Sequence, residues 1–286
     1  MKNKNTGNTI IKSASEMRAY AAAAKARGGS VGLVPTMGAL HDGHLSLVRA
    51  AAAENDVVVV SIFVNPIQFD DPDDLALYPE TLTSDAAMAF GAGADAVFAP
   101  GAGEMYPEGF STYVDMTGVS EQLCGAARPS HFRGVLTVVC KLFGVCSPDK
   151  AYFGEKDAQQ LAVVRKMTSE LCMNVTIIGC PTVREEDGLA MSSRNARLSG
   201  DERIAARCLY RALEEASRLF DTGETAAAAL SARLLGVLES EPLVRVDYAE
   251  IVDPETFMPT AAVRKGDLMA LAVYVGDTRL IDNRRL

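Results

Sequence analysis

One eight-residue stretch decides the fold: Val57-Val58-Val59-Val60-Ser61-Ile62-Phe63-Val64. It is apolar on both alternating faces and rich in β-branched side chains, which is typical of a parallel strand that helices cover on both sides. Shorter apolar runs predict further strands, at residues 31–35, 94–99, 150–153 and 175–179. Helical patterns separate them, at residues 44–54, 83–91, 135–145 and 157–173. This alternation predicts an α/β fold with a doubly wound parallel sheet.

The pattern changes after about Val183. Ser199 and Glu202 have the spacing of a capping box, which predicts the start of a helix. One face of that helix would carry Ile204, Cys208, Leu209, Leu213, Ala216 and Phe220. A second helix at residues 225–238 and strands at 244–252, 268–275 and 279–282 follow. The sequence therefore predicts a Rossmann-like domain at residues 1–182, whose first eight residues form a flexible tail, and a smaller α+β domain at residues 183–286.

Composition narrows the class of protein. The 286 residues carry a formal net charge of −9, whereas a protein that binds duplex nucleic acid is usually basic. Any phosphate site would therefore be local, built from a few cationic side chains and backbone N–H groups. The polar N-terminus does not resemble a secretory signal, no apolar run is long enough to span a membrane, and the cysteines include no C-x-x-C pair. We expect a cytoplasmic protein that binds neither nucleic acid nor membranes.

The first chemistry-bearing segment runs from Pro35 to His44, PTMGALHDGH, between a predicted strand and a predicted helix. A parallel sheet binds its ligand at the carboxyl ends of its strands, where a helix N-terminus attracts negative charge. His41 and His44 are three residues apart, so one helical face would carry both, and both could donate hydrogen bonds to phosphate oxygens. Two alternatives remain. The histidines could cap backbone groups, or they could bind a metal ion, although no Cys or Glu lies at the spacing needed for further ligands.

Two segments carry groups that suit an organic acid. Asn65 and Gln68 follow the strand at 57–64, and amides at this edge of a sheet can hold hydroxyls and a carboxylate without adding charge. Arg128 and His131, in RPSHFRG, could face an anion. The alternatives are an Asn-Pro turn that merely ends the strand, and a solvated basic loop.

Two more segments suit a nucleotide. In FGEKDAQQ, residues 153–160, a strand ends at a glycine and a helix begins, which would place Lys156 beside a phosphate, Asp157 beside a ribose hydroxyl and Gln160 one turn further on. In MSSRN, residues 191–195, two hydroxyls and a guanidinium suit phosphate oxygens on a loop that could close over a nucleotide. The alternatives are a charged helix cap and a polar linker. The chain contains neither a P-loop sequence nor a G-x-S-x-G nucleophile elbow.

In this order, the segments resemble the pantoate–β-alanine ligase family, within the H-x-G-H nucleotidylyltransferase and class I synthetase superfamily. The motifs that carry the resemblance are VPTMGALHDGH, VVVVSIFVNPIQF, DLALYP, RPSHFRGVLTVV, FGEKDAQQL and DGLAMSSRN. The resemblance implies a ligase in which the carboxylate of pantoate attacks the α-phosphorus of ATP-Mg and releases pyrophosphate. The amine of β-alanine then displaces AMP from pantoyl adenylate, which gives pantothenate. It also implies Mg²⁺, a homodimer and a cytoplasmic location.

The resemblance further implies roles for individual residues. The catalytic residues would be His41, His44, Lys156, Ser192, Ser193 and Arg194, with His44 as a proton donor. The ATP site would comprise Met37, Gly38, Ala39, Leu40, His41, Asp42, Gly43, His44, Gly154, Glu155, Lys156, Asp157, Val183, Met191, Ser192, Ser193 and Arg194. The substrate site would comprise Pro35, Asn65, Gln68, Tyr78, Arg128, His131 and Gln160. Asp85 would lie in the outer coordination sphere of Mg²⁺.

Two positions depart from the family pattern. Ser130 stands where RPGHF has glycine, so a turn with positive φ would be strained there. Glu80 stands where arginine is common, and we expect it at the surface. Two other functions stay open: a nucleotidylyltransferase of the same superfamily, which would release pyrophosphate but no free AMP, and an ATP-binding sensor without turnover.

Overall fold

The computed structural model describes residues 8–70 and 72–286, without the side chains of residues 72 and 73. The predicted N-terminal tail lies, up to residue 7, outside the described residues. The chain forms two compact units. The first extends to Glu155 and includes Val163–Pro181, and the second consists of Lys156–Ala162 and Thr182–Leu286.

A six-stranded sheet forms the centre of the first unit. Its strands are β1 (Thr9–Ile11), β2 (Val31–Thr36), β3 (Val57–Ile62), β4 (Ala96–Phe98), β5 (Lys150–Gly154) and β6 (Thr176–Cys180). They are parallel and lie in the order β1-β4-β3-β2-β5-β6. From β2 the chain builds outward through β3 and β4, then returns to add β5 and β6 on the other side. This confirms the predicted doubly wound sheet, and it places the topological switch between β2 and β5.

Helices accompany these strands. They are α1 (Ala14–Ala26), α2 (Asp42–Glu54), α3 (Pro72–Ala76), α4 (Leu82–Ala92), α5 (Ala102–Met105), α6 (Cys124–Ala127), α7 (His131–Cys146) and α8 (Ala158–Glu170). Val58, Val59 and Val60 of β3 are at most 1% exposed, so this strand is covered on both faces as its composition predicts. The helices described here include none with the length and apolar character needed to cross a bilayer.

The second unit joins three helices to an antiparallel sheet. The helices are α9 (Gly200–Ala205), α10 (Cys208–Asp221) and α11 (Ala227–Glu239), and the strands are β7 (Val244–Val252), β8 (Leu268–Val275) and β9 (Thr278–Arg285). The strands lie in the order β7-β8-β9. One apolar core joins α10 and α11 to the inner face of this sheet. An α+β unit of this kind was the expectation for this part of the chain.

One predicted helix of this unit is wrong in extent. Ser199 and Glu202 form the predicted capping box, but the helix ends at Ala205 and α10 begins at Cys208. Between them the chain tightens, because the N–H of Leu209 bonds the carbonyl of Ala206 only three residues before it. The break rotates the apolar face, so Ile204 is 62% exposed instead of lying on it.

Candidate active site

The turn between β2 and α2 holds the two predicted histidines close together. His41 is the N-cap of α2 and His44 lies in its first turn, with ring centroids 4.1 Å apart. The backbone N–H of His41 donates to Nδ1 of His44 over 3.4 Å. Because Nδ1 accepts this bond, a neutral His44 carries its proton on Nε2. The histidine therefore caps the backbone with one nitrogen and is a hydrogen-bond donor through the other, at the positive end of a helix.

Asp85 fixes the preceding part of this turn. Its buried carboxylate accepts the N–H groups of Ala39 and Leu40, each over 2.9 Å, and the hydroxyl of Thr81 over 2.9 Å. These bonds offset the backbone strain at Ala39, whose φ is +49°, whereas the preceding Gly38 adopts its φ of +89° without strain. Asp85 therefore stabilises the conformation of this turn, a role that the sequence did not indicate. Its predicted role near Mg²⁺ stays a prediction.

Asn65 and Gln68 lie side by side at the end of β3. Both are buried, and Gln68 ends the 3₁₀ turn Pro66–Gln68. Asn65 Nδ2 donates to Gln68 Oε1 over 2.9 Å, and Gln68 Nε2 lies 3.0 Å from the sulfur of Met37. Met37 belongs to the loop that leads into α2, so one unit brings the predicted acid-binding amides against the predicted nucleotide loop.

Arg128 and His131 support the backbone of this segment. Arg128 Nη2 donates to the carbonyl oxygen of Gln68 over 3.2 Å, and His131 Nδ1 lies 3.0 Å from the same oxygen. A carbonyl oxygen only accepts, so His131 carries a proton on Nδ1. Arg128 also pairs with Asp70 at 3.4 Å, and its side chain is only 19% exposed, so the alternative of a solvated basic loop is wrong for it. Both side chains hold Gln68 in place.

The two departures from the family pattern are accommodated at the surface. Ser130 has φ −91°, so the expected strain from a positive φ does not arise. Its backbone N–H and hydroxyl both donate to Asp70, and the side chain is exposed. Glu80 is exposed, as expected. The nearby Tyr78 packs edge-on against Phe69, with ring centroids 6.0 Å apart.

Gly134 lets α7 approach the segment that carries Gln68. A Cβ atom at this position would lie 2.5 Å from the carbonyl oxygen of Ile67 and 2.6 Å from the Cα of Gln68. Both contacts are with backbone atoms, which cannot move aside as the end of a flexible side chain can. Glycine is required here because two backbones approach closely.

We predict that Gly134→Ala lowers the free energy of unfolding by about 1–3 kcal/mol, the usual cost of overpacking. Gly144→Ala is the matched control in the same helix, because a Cβ there would meet nothing within 4 Å. Alanine favours the helix over glycine by up to about 1 kcal/mol, so the control should be slightly stabilised. Urea unfolding measures both, and equal midpoints would contradict a close approach at Gly134.

Cationic side chains gather in the second unit. Burial lowers the pKa of Lys156, as do the charges of Arg194 and Arg184, whereas Asp157 and Asp282 act in the opposite direction. Arg184 forms a two-bond pair with Asp282, at 2.6 and 3.0 Å, and the carboxylate is almost wholly buried. A cluster with more positive than negative charge suits a phosphate.

The loop with the sequence MSSRN is tied down at both ends. The N–H of Met191 bonds the carbonyl of Val183 over 3.0 Å, next to the antiparallel bridge between Arg184 and Ala190. Ser192 Oγ accepts the N–H of Arg194 over 3.3 Å and so caps the 3₁₀ turn Ser193–Arg197. This segment therefore has defined structure, which the alternative of a polar linker lacks.

The remaining predicted residues divide between the two units. Those of the first unit are Pro35 in β2, Asp42 and Gly43 in the first turn of α2, Gly154 at the end of β5 and the exposed Glu155. Those of the second unit are the exposed Asp157 and the half-buried Gln160. Residues that the sequence did not single out as functional include Tyr106, Gly134, Arg184, Asp282 and Asn283, whose side-chain amide donates to the carbonyl of Lys156 over 2.7 Å.

Comparisons with known proteins agree over nearly the whole chain. The family model for pantoate-beta-alanine ligase matches residues 9–285. A pantothenate synthetase from Moorella thermoacetica is 52% identical over 274 residues, which cover 96% of this chain and 97% of the relative. A solved pantothenate synthetase from Thermus thermophilus has a TM-score of 0.91 at 45% identity and covers 96% of this chain and 98% of its own.

A second solved structure was determined with ligands. It is the pantoate-beta-alanine ligase from Francisella tularensis complexed with beta-gamma ATP and beta-alanine, with a TM-score of 0.80 at 33% identity over 98% of both chains. These matches confirm the family and the fold that the sequence predicts. The chain is an enzyme of the pantoate-beta-alanine ligase family.

Proposed function

We propose that this chain joins pantoate to β-alanine in an ATP-dependent reaction that yields pantothenate, AMP and pyrophosphate. The observation that carries the proposal is the juxtaposition in the first unit of the buried Gln68 amide and the Met37 loop, which leads to His44. The amide of Gln68, which can donate to a carboxylic acid, thus contacts the loop that leads to His44, which can donate to a phosphate. Family membership over residues 9–285 supports the same reaction.

The chemistry consists of two displacements. A carboxylate oxygen of pantoate bonds to the α-phosphorus of ATP and pyrophosphate leaves. The nitrogen of β-alanine then bonds to the acyl carbon, AMP leaves with the former carboxylate oxygen, and the amine loses a proton. Both steps bring negative groups together or build charge on oxygen, so they need fixed donors and cations.

The residues of each unit suit a part of this task. In the first unit, the Nε2–H of His44 and the N-terminus of α2 would stabilise charge on phosphate oxygens. Gln68 would bind the acid. In the second unit, Lys156 and Arg194 would bind phosphates. Asn283 would help to position Lys156, because its side-chain amide donates to the backbone carbonyl oxygen of Lys156.

Magnesium would reach the enzyme on ATP. Among residues 8–70 and 72–286 no group of three His, Cys, Asp or Glu side chains could hold a metal ion. Mg²⁺ commonly keeps several waters and binds through substrate phosphates, so a protein cage is not required. Asp85 already accepts three hydrogen bonds, and a contact from it to a magnesium-bound water stays a prediction. The homodimer and the cytoplasmic location are predictions as well.

We predict that the purified protein releases AMP from ATP-Mg only when pantoate and β-alanine are both supplied. Leaving out each compound in turn provides the control. Pyrophosphate without free AMP, when both compounds are present, would favour the nucleotidylyltransferase alternative. ATP binding without any turnover would favour the sensor.

A further inference from the structure

Tyr106 lies outside every motif that the sequence analysis selects, yet its hydroxyl reaches the proposed acid site. It is 2.6 Å from Oδ1 of Asn65, although 41 residues separate the two in the chain. Asn65 in turn contacts Gln68 and the carbonyl oxygen of Gly134, at 2.9 and 3.1 Å. All these groups belong to the first unit.

The polarity of these bonds follows from one fixed acceptor. The carbonyl oxygen of Gly134 can only accept, so the atom of Asn65 that faces it must be the amide nitrogen. The other side-chain atom of Asn65 is therefore an oxygen, and the hydroxyl of Tyr106 must donate to it. The second N–H of Asn65 points at Gln68, whose facing atom must then be Oε1. Gln68 is left with Nε2 directed away from Asn65, towards the sulfur of Met37.

We propose that Tyr106 is a positioning residue that, through Asn65, holds Gln68 as a pure hydrogen-bond donor, so that the acid site selects a ligand oxygen that accepts. This inference rests on the proposed function, because it specifies how Gln68 recognises the acid. A thioether sulfur is a weak acceptor, so the N–H that faces Met37 is easily transferred to a carboxylate or hydroxyl oxygen of a ligand. A primary amide offers this donor only one uncharged carbonyl oxygen, which is a weaker acceptor than a carboxylate oxygen, so the amide would bind less tightly.

The surroundings of Tyr106 keep its hydroxyl protonated and fixed. Burial raises the pKa of Tyr106, so the group is a donor throughout the neutral range. Its ring packs on Phe110 and Phe63, with centroids 5.0 and 6.1 Å away. The phenol is thus held by its ring independently of the hydrogen bond, and removing only its oxygen leaves this packing in place.

The test compares Tyr106→Phe with Tyr113→Phe. Tyr113 packs on the same Phe110 ring, at 5.3 Å, but is 40% exposed, so its variant controls for the loss of a phenolic oxygen in this cluster. Calorimetry measures the Kd of pantoate and of its primary amide, steady-state kinetics give kcat and the KM of each substrate, and thermal unfolding shows whether the variants remain folded.

We expect Tyr106→Phe to weaken pantoate binding roughly tenfold, the order of one hydrogen bond to a charged group, and to narrow the preference for pantoate over its amide. The KM of ATP should match that of the Tyr113→Phe control. The unfolding temperature should lie a few degrees below that of the control, because the buried oxygen of Asn65 loses its donor, but the protein should remain folded. A Tyr106→Phe protein that binds pantoate and its amide as the control does would overturn the proposal while leaving the ligase function intact. A parent protein that binds no pantoate would overturn both.

Discussion

Replacing His44 with alanine should lower the rate of AMP formation by about 10²- to 10³-fold, the usual effect of removing one preorganised donor to a developing oxyanion. The hydrogen bond from His41 to Nδ1 leaves Nε2–H as the donor of the neutral ring, at the N-terminus of α2. The loss should appear mainly in kcat, because the interaction strengthens as charge develops on the phosphates. Rates of AMP release at saturating substrates measure it.

His44→Gln is the matched control, because a glutamine amide can still donate a hydrogen bond from a similar position. It should retain more activity than His44→Ala. Only His44→Ala must lose the bond to the N–H of His41, because a glutamine at this third helical position can accept the same bond through Oε1. Losing such a helix cap costs about 1 kcal/mol, so both variants should stay folded. A His44→Ala protein within about threefold of the parent would mean that the histidine serves only as a cap, which is the alternative that the sequence left open.

The fold could be predicted because its strands are strong local signals. The Val-rich run at 57–62 is stable only as a strand that is covered on both faces. The boundaries of β2, β5 and β6 lie within one residue of those expected from the sequence. The edge strand β1 was not predicted, since three residues offer too short a pattern to recognise. Likewise, the break between α9 and α10 consists only of Ala206 and Arg207, with no glycine or proline to mark it, so the sequence indicated one helix where two exist.

The candidate site could be predicted only in part, because its supporting contacts join distant parts of the chain. Asn65 and Gln68 could be proposed from their place after a strand, but Tyr106 lies 41 residues away from Asn65 with no pattern that links them. Arg184 and Asp282 are 98 residues apart and occur in no recognised motif as a pair. The expectation of strain at Ser130 was also wrong. The residue types around Ser130 do not determine its backbone angles, and in the structure its φ is −91°.

Replacing Lys156 with alanine should reduce adenylate formation by roughly 10²-fold or more while leaving the free energy of unfolding little changed. Burial lowers the pKa of Lys156, and Arg194 and Arg184 lower it further. A folded pKa below the unfolded value means that the charged lysine disfavours folding at a pH below the lowered pKa, and that this penalty declines as the pH rises from the lowered pKa to the ordinary value for lysine. Removing the ammonium should therefore not destabilise the free protein. Urea unfolding and pyrophosphate–ATP exchange measure the two effects, and a Lys156→Ala protein that is unfolded or much less stable would favour the alternative of a charged helix cap.

The pH dependence of kcat/KM for ATP tests whether the positive charge of Lys156 is required for binding ATP. The profile of kcat/KM for ATP reports groups of the free enzyme, so in the parent it should fall at alkaline pH, as Lys156 loses its proton below the ordinary value for lysine. Lys156→Arg keeps a positive charge, and a guanidinium stays protonated over the whole range, so its profile should lack that fall even if its maximum is lower. If parent and Lys156→Arg lose activity over the same pH range, the titrating group is another one and the ammonium of Lys156 is not what holds the phosphates. If the fall is present only in the parent, the titrating group is Lys156, and the protonated ammonium is the form of this residue that binds the phosphates of ATP.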